Sequence, residues 1–356
     1  MIVAGAGMAG LCAAARGREL GADPTVYEKG DRPGGSMLLS SGVVWRYADF
    51  EEFRRQCPGG DPALQRLVHQ RLDDALDWLE QLGAPVVERA TGNPLTVGRR
   101  FDPQGLTEAL ARASGEVQLG TPFRENGDPL ILATGGFGAE LARRLDRPLR
   151  ASPWSEGDGL RYARSRGAAV SGGMDEFYGR AMPDAPFGED GFVPLAQVYG
   201  RLALVVNERG ERFFEHPVSW SETDLVQAIS RQPGGAAWFL LDEDALLEQV
   251  RDRSVADMVE AARRAGGTVV APSELRFDVP DGLVVAVRVR AAITHTIGGL
   301  RVDDRARVLR EDGTPIKGLY AAGVDAGGIS TGGYASGLAQ ALVLGLAAAE
   351  SAYAAG

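Results

Sequence analysis

The sequence predicts an α/β fold, with helices packed on a parallel sheet, and three stretches carry that reading. Strand Met1 to Ala4 runs into Gly5, Gly7 and Gly10, a GxGxxG spacing at the opening of a helix from Met8 to Leu20. Thr25, Val26 and Tyr27 form a second strand ending in Glu28, 18 positions past Gly10. Towards the other end, Gly318 to Gly323 (GLYAAG) is followed by Asp325, a glycine-rich loop from Gly327 to Gly337 and a long apolar helix. Physically, Gly5 makes the tight turn, Gly7 lets the backbone approach a pyrophosphate and Gly10 lets the helix lie close on the strand, while Glu28 holds a ribose hydroxyl. The helix N-terminus, with Met8 and Ala9 in its first turn, faces the phosphates. These are the marks of a Rossmann-like dinucleotide-binding domain.

The next segment bears on which dinucleotide is bound. Lys29 to Met37 reads KGDRPGGSM and places a second glycine pair, Gly34 and Gly35, directly after the acid strand, followed by Ser36 and then Ser40, Ser41 and Gly42. A NAD site needs no such pair. The segment resembles the FAD segment of the fumarate reductase and succinate dehydrogenase flavoprotein family, which also contains the 3-ketosteroid dehydrogenases. That resemblance implies an FAD-binding domain of the two-dinucleotide-binding type with an inserted α+β capping domain. It places Lys29, Gly34, Gly35, Ser36, Ser40, Ser41 and Gly42 along the cofactor. Because Ser36 to Ser41 lacks the histidine to which some relatives attach their flavin, the FAD is expected to be non-covalent.

From Trp45 to Gly105 the pattern reads as helical with polar breaks, and Pro62 to Leu82 and Leu106 to Ser114 carry apolar residues at spacings of three and four. Arg99, Arg100 and Asp102 either face a ligand or form a solvated cap before a helix, and His69 carries no stronger signal. Pro129 to Gly136, PLILATGG, is an apolar run ending in small residues, where a central strand delivers backbone to a ligand. In the resembling family this ATGG turn, here Ala133, Thr134, Gly135 and Gly136, passes near the FAD. Between Glu116 and Asp128 there is little room for the hairpin that many such flavoproteins insert. Gly157, Asp158 and Gly159 match the family's GDG turn, which makes Asp158 a cofactor-side candidate.

After about residue 176 aromatics, prolines and loop residues increase, and Val205 to Phe214 (VVNERGERFF) reads as a strand, a turn at Arg209 and Gly210, and a return strand. The resemblance assigns such a hairpin to the cap. Accordingly, 1–176 and 272–356 are expected to form the FAD domain and 177–271 the capping domain. Fumarate reductases place a proton-donating arginine shortly after this motif, whereas Glu215 to Asp224 contains none. Arg180, Arg209 and Arg212 either meet an acidic substrate or are solvated and paired. Further on, ITHTIGGL resembles the family's substrate-side histidine motif, so His295 stands near the flavin; a strand-end histidine bonded in the core is the alternative.

Length and composition bound the remaining choices. The chain has 356 residues, enough for two domains, with Lys plus Arg 38 against Asp plus Glu 48 and a formal charge of −10. This gives no electrostatic case for nucleic acid or an anionic membrane surface, so small molecules are the expected partners. Two cysteines, Cys12 in the first helix and Cys57 in a polar loop, make neither a disulfide framework nor a metal cluster. This cysteine usage fits a reducing cytoplasm, the expected location. Met1 opens directly on a strand of about four residues, so either the true start lies slightly upstream or this strand is short. No window approaches the roughly 18 unbroken apolar residues of a membrane span; Leu338 to Ala349 reads as a buried helix, so no transmembrane segment is expected.

In the family the GLYAAG strand, with Gly323, and the following acid hold the flavin ribityl, and the next helix, beginning near Gly337 and Leu338, points its N-terminal dipole at the pyrimidine end of the flavin. Asp325 sits one residue later than in many relatives. The loop Ser330 to Gly337 lacks the arginine that fumarate reductases use to grip a carboxylate. Its YASG sequence resembles 3-ketosteroid 4-dehydrogenases, which implies Tyr334 and Ser336 on a ketone. Desaturation beside a carbonyl needs a donor on the oxygen, a base for the α-proton and a two-electron acceptor. Tyr178, with Tyr199 as runner-up, is the expected second acid or base from the cap. The substrate is then a cyclic ketone, the alternative being a small unsaturated acid, and the electron acceptor is open.

Overall fold

The computed structural model describes residues 1–123 and 129–355. Part of the stretch with little room for a hairpin, 124–128, lies outside the described residues. The chain divides into two compact units, one of 1–140, 151–176 and 295–356, the other of 141–150 and 177–294. Residues 272–294, which the sequence pattern returns to the first domain, belong to the second unit.

The first unit is built on a six-stranded sheet in the order Arg307–Leu309, Pro315–Ala321, Leu130–Leu132, Ile2–Ala4, Thr25–Tyr27, Val117–Gln118. All neighbours are parallel except the first pair. Val3, Ala4, Ile131 and Leu132 are fully buried apart from traces, as central parallel strands with both faces covered must be. The C-terminal helix Gly337–Ala354 lies against the helix Met8–Glu19, where Gly345 lets it approach the carbonyl of Ala9 and the side chain of Cys12. By length and composition alone this 18-residue helix is apolar enough to cross a membrane; 67% of it is buried inside the protein, in keeping with the buried helix expected over Leu338 to Ala349.

The stretch read as helical from Trp45 contains the helices Phe50–Gln56, Pro62–Gln81 and Pro103–Ser114, but also a three-stranded antiparallel sheet of Val43–Tyr47, Thr96–Phe101 and Val86–Glu88. These strands are short, and the long amphipathic helix between them dominates the periodicity. Asp61 caps that helix by accepting the amides of Ala63 and Leu64, with Pro62 at its first position.

The second unit carries a sheet in the order Val269–Val270, Leu283–Thr296, Ala236–Asp242, Leu204–Val206, with Phe177–Pro183 also paired to Leu283–Thr296. The expected return strand of VVNERGERFF does not form. Asn207 Oδ1 accepts the amides of Arg209 and Glu211 and closes a turn instead, and Leu204–Val206 pairs with Ala236–Asp242.

Candidate active site

The first turn is assembled from backbone. Gly5 has φ +103, and a Cβ there would overlap the carbonyl of Ala133, while one on Gly10 would overlap the carbonyl of Gly5. Both positions therefore need glycine to bring the first turn, the helix and the ATGG turn together. The second glycine pair lies beside the first turn: Gly34 N donates to Ala6 O at 2.7 Å, and Gly7 bridges Gly34. Glu28, expected on a ribose, uses its buried carboxylate to accept Ala6 N at 2.7 Å and Gly30 N at 2.6 Å. It fastens the turn, a task the spacing argument missed.

Lys29 and Asp158 meet. Lys29 Nζ lies 2.6 Å from Asp158 and 2.8 Å from Glu156, and Arg161 shares Asp158. Ser36 accepts the amide of Ser152 at 3.0 Å, and Ser40 accepts that of Gly42. Ser41 O receives the guanidinium of Arg100.

Asp325 is fully buried and accepts the amide and hydroxyl of Thr134 and the amide of Gly136. It thus clamps the ATGG turn to the segment after GLYAAG. Burial pushes its carboxyl up to about 6, against the pull of those donors. Gln340, a lone amide in an apolar helix, donates to Gly323 O at 2.9 Å and Ala326 O at 2.7 Å. That isolation was a readable signal for a polar tie.

His295 stands over the start of the C-terminal helix, with Nε2 2.9 Å from where a Cβ on Gly337 would lie. Its Nδ1 lies 3.2 Å from Thr296 O, so Nδ1 carries the proton of the neutral ring, and burial lowers its pKa. Ser336 is the N-cap of that helix and accepts Ala339 N at 3.2 Å. The capping bond occupies its oxygen and leaves its proton to be donated. Tyr334, half-buried, is fixed by its carbonyl, which accepts the Tyr47 hydroxyl at 2.7 Å, and by an edge contact to Trp45 at 5.4 Å.

Other candidates resolve into supporting roles. Arg99 pairs with Asp77 and Glu80, Arg100 pairs with Glu88, and Asp102 caps the helix Pro103–Ser114. Arg99 and Arg100 are thus held in ion pairs, and Asp102 in a helix cap. His69 stacks edge-on to Phe50, and Arg209 pairs with Glu211. Cys57 is not in a solvated loop: it is fully buried, which pushes its thiol up to about 12.

Within the second unit, Tyr178 is buried with the Arg180 guanidinium 5.1 Å from its ring centre. Arg180 donates to Ser221 O. Tyr199 is wholly buried and donates to Gln197 at 2.6 Å, and burial raises its pKa. Glu222, with φ +57, is buried and pushed up to about 7.

Two observations test whether these residues suit a dinucleotide. A Cβ on Gly7 would meet nothing within 4 Å, and no side chain caps the helix that starts there. Thr296 Oγ1, buried beside Gly136, has no protein partner. An uncapped helix N-terminus beside an open glycine accepts a phosphate, and a buried orphan hydroxyl suits a polar ligand edge.

Fold and site define the class, an oxidoreductase that uses FAD. The chain belongs to the FAD binding domain family, whose model matches residues 1–113 and 100–338. It is 24% identical over 411 residues to a fumarate reductase (cytochrome) of Shewanella frigidimarina, covering 91% of this chain and 71% of that protein. A KsdD-like steroid dehydrogenase of Mycobacterium tuberculosis is 35% identical over 116 residues, 29% of this chain and 20% of that one. The crystal structure of 3-ketosteroid-Δ4-(5α)-dehydrogenase from Rhodococcus jostii superposes with a TM-score of 0.69 at 19% identity, covering 99% and 96% of the two chains. The last likeness shows the fold.

Proposed function

We propose that this oxidoreductase desaturates the C–C bond next to the carbonyl of a cyclic ketone, in the manner of a 3-ketosteroid dehydrogenase. The observation that carries the reading is Tyr334: it sits in a loop without arginine, anchored by Tyr47 and walled by Trp45. An aromatic wall with one phenol suits an apolar ring bearing a ketone, whereas a dicarboxylate asks for guanidinium groups.

Gly5, Gly7, Met8, Ala9 and Gly10 hold the FAD pyrophosphate, with Glu28 and Lys29 towards the ribose, Gly34 to Gly42 and the ATGG turn along the cofactor, and Asp325 ordering the ribityl side. It is held without a covalent bond. Bound there, FAD supplies the two-electron acceptor. Tyr334 donates to the ketone oxygen and so acidifies the adjacent C–H. The proton leaving that carbon goes to a base, for which the neutral imidazole of His295 is the candidate, and Ser336 relays it through the proton its cap bond leaves free.

The second reading is reduction of a small unsaturated acid. The near full-length likeness to a fumarate reductase and the buried Arg180 favour it.

Anaerobic titration of the purified holoprotein with saturated cyclic ketones, 3-ketosteroids included, decides between them. Bleaching of the oxidised flavin band by a ketone is expected, with Tyr334→Phe lowering kcat about 10²- to 10⁴-fold at unchanged FAD content. If no ketone bleaches the flavin, but an unsaturated acid reoxidises the chemically reduced protein, the second reading holds.

A further inference from the structure

The loop that carries Tyr334 is suspended, along most of its length, from residues 47–65. Asp61 N donates to Gly328 O at 2.7 Å, and Gly59 N donates to Thr331 O at 3.1 Å. The amide of Gln65 donates to Ile329 O at 2.8 Å and to Cys57 O at 2.9 Å. The Cys57 sulfur accepts the backbone amide of Tyr334, and the Tyr47 hydroxyl takes its carbonyl.

Gln65 is the centre of this set. It is wholly buried, and its oxygen accepts Arg54 Nη1 at 2.5 Å, so both ends of the amide are used. It projects from the first turn of the helix Pro62–Gln81, whose cap residue Asp61 is itself bonded to the loop. A Cβ on Gly60 would overlap the Gln65 amide and the carbonyl of Ile329, and one on Gly333 would overlap the carbonyl of Gln56. The two segments therefore meet backbone to backbone, with the glutamine between them.

We propose that Gln65 is a positioning residue: through Ile329 and Cys57 it fixes the 328–334 loop and so the direction in which the Tyr334 phenol points. A loop with so many glycines has no rigidity of its own. Gln65 does not touch a reacting atom and acts through the backbone. The catalytic part of this inference rests on the reading of Tyr334 given above, whereas the structural part does not.

The test uses the FAD-loaded protein and Gln65→Met, which keeps volume but removes both donors. Hydrogen–deuterium exchange of the peptide covering 326–337 is expected to quicken about tenfold, the equivalent of one lost buried bond, with the Met8–Glu19 helix unchanged and FAD retained. Tyr47→Phe, which removes one bond of the same platform, is expected to act in the same direction by about threefold. On activity, Gln65→Met is expected to lower kcat about tenfold in the native background but less than about twofold in Tyr334→Phe, because the phenol it aims is gone. Unchanged exchange in 326–337 overturns the proposal, as does a kcat loss of equal size in both backgrounds. If Tyr334→Phe alone leaves turnover intact, the reading of Tyr334 fails, and the exchange result still decides the platform.

Discussion

The first unit contains two glycine-rich turns that each end at the N-terminus of a helix, and they are held in opposite ways. The turn at Gly5–Gly10 is secured by its own neighbourhood: Gly5 N reaches Tyr27 O at 2.7 Å, Glu28 gathers Ala6 and Gly30, and Leu11 N closes on Gly7 O. The loop at Gly327–Gly337 is held from far away in sequence, by Tyr47 and Gln65, 287 and 264 residues from the groups they bind. The hydrogen bonds that close the first turn thus come from within about 30 residues, although the ATGG turn also packs on Gly5. The second is a flexible segment on borrowed rigidity, which suits a loop that must present a reacting side chain while another part of the chain sets its angle.

The largest effect expected from this difference is at Gly10. The added methyl of Gly10→Ala would overlap the carbonyl of Gly5 and press on Val3. Neither can yield without separating the helix from the central strand, so a loss of more than about 3 kcal/mol is expected. Chemical denaturation of the cofactor-free protein measures it. A variant as stable as the parent would mean that the helix can shift, and that the first turn is not self-supporting in the sense argued above.

The second effect belongs to the C-terminal segment and depends on pH. Because burial raises the Asp325 carboxyl to about 6, the folded state holds that proton more tightly than the unfolded chain does. The corresponding stability is fully present below about pH 4, the unfolded range, and is lost as pH rises through 6. The difference is about 3 kcal/mol at most. Asp325→Asn mimics the protonated acid and is expected to flatten the fall in stability between pH 4 and 7, measured as urea midpoints across that range. Glu222, raised to about 7 in the second unit, contributes a fall of the same sign that stays in the variant. An unaltered slope would remove Asp325 as the source.

The same contrast explains what the sequence discloses. Gly5, Gly7, Gly10, the ATGG turn and GLYAAG are legible because each glycine answers a local backbone need at a fixed spacing. Gln65, Tyr47 and Cys57 are not, since nothing near them in sequence says what they face; Cys57 reads as a loop residue and is fully buried. The strands Val43–Tyr47 and Thr96–Phe101 disappear beside a 20-residue amphipathic helix. Glu28 was legible as an acid of the right spacing, but the spacing cannot distinguish a ribose hydroxyl from the amides of Ala6 and Gly30. Asn207 likewise looks like part of a hairpin until its side chain closes the turn.

Gly7 sharpens the comparison with the smallest change to the fold. Unlike Gly5, with its positive φ, it has an ordinary extended conformation, φ −77 and ψ −174, and unlike both Gly5 and Gly10 a Cβ there meets no protein atom within 4 Å. Nothing in the folded chain therefore demands glycine at this position. Gly7→Ala is expected to lower the stability of the cofactor-free protein by about 1 kcal/mol, the usual advantage of glycine over alanine at a helix N-cap, well short of the loss expected at Gly10. Its methyl would instead occupy the space beside the uncapped helix N-terminus, so FAD affinity is expected to fall at least about tenfold, read by fluorescence titration of the cofactor-free protein. If affinity is kept, the open space at Gly7 is not where the pyrophosphate lies. If stability falls as far as in Gly10→Ala, the distinction between a glycine required by the chain and one required by its ligand is lost.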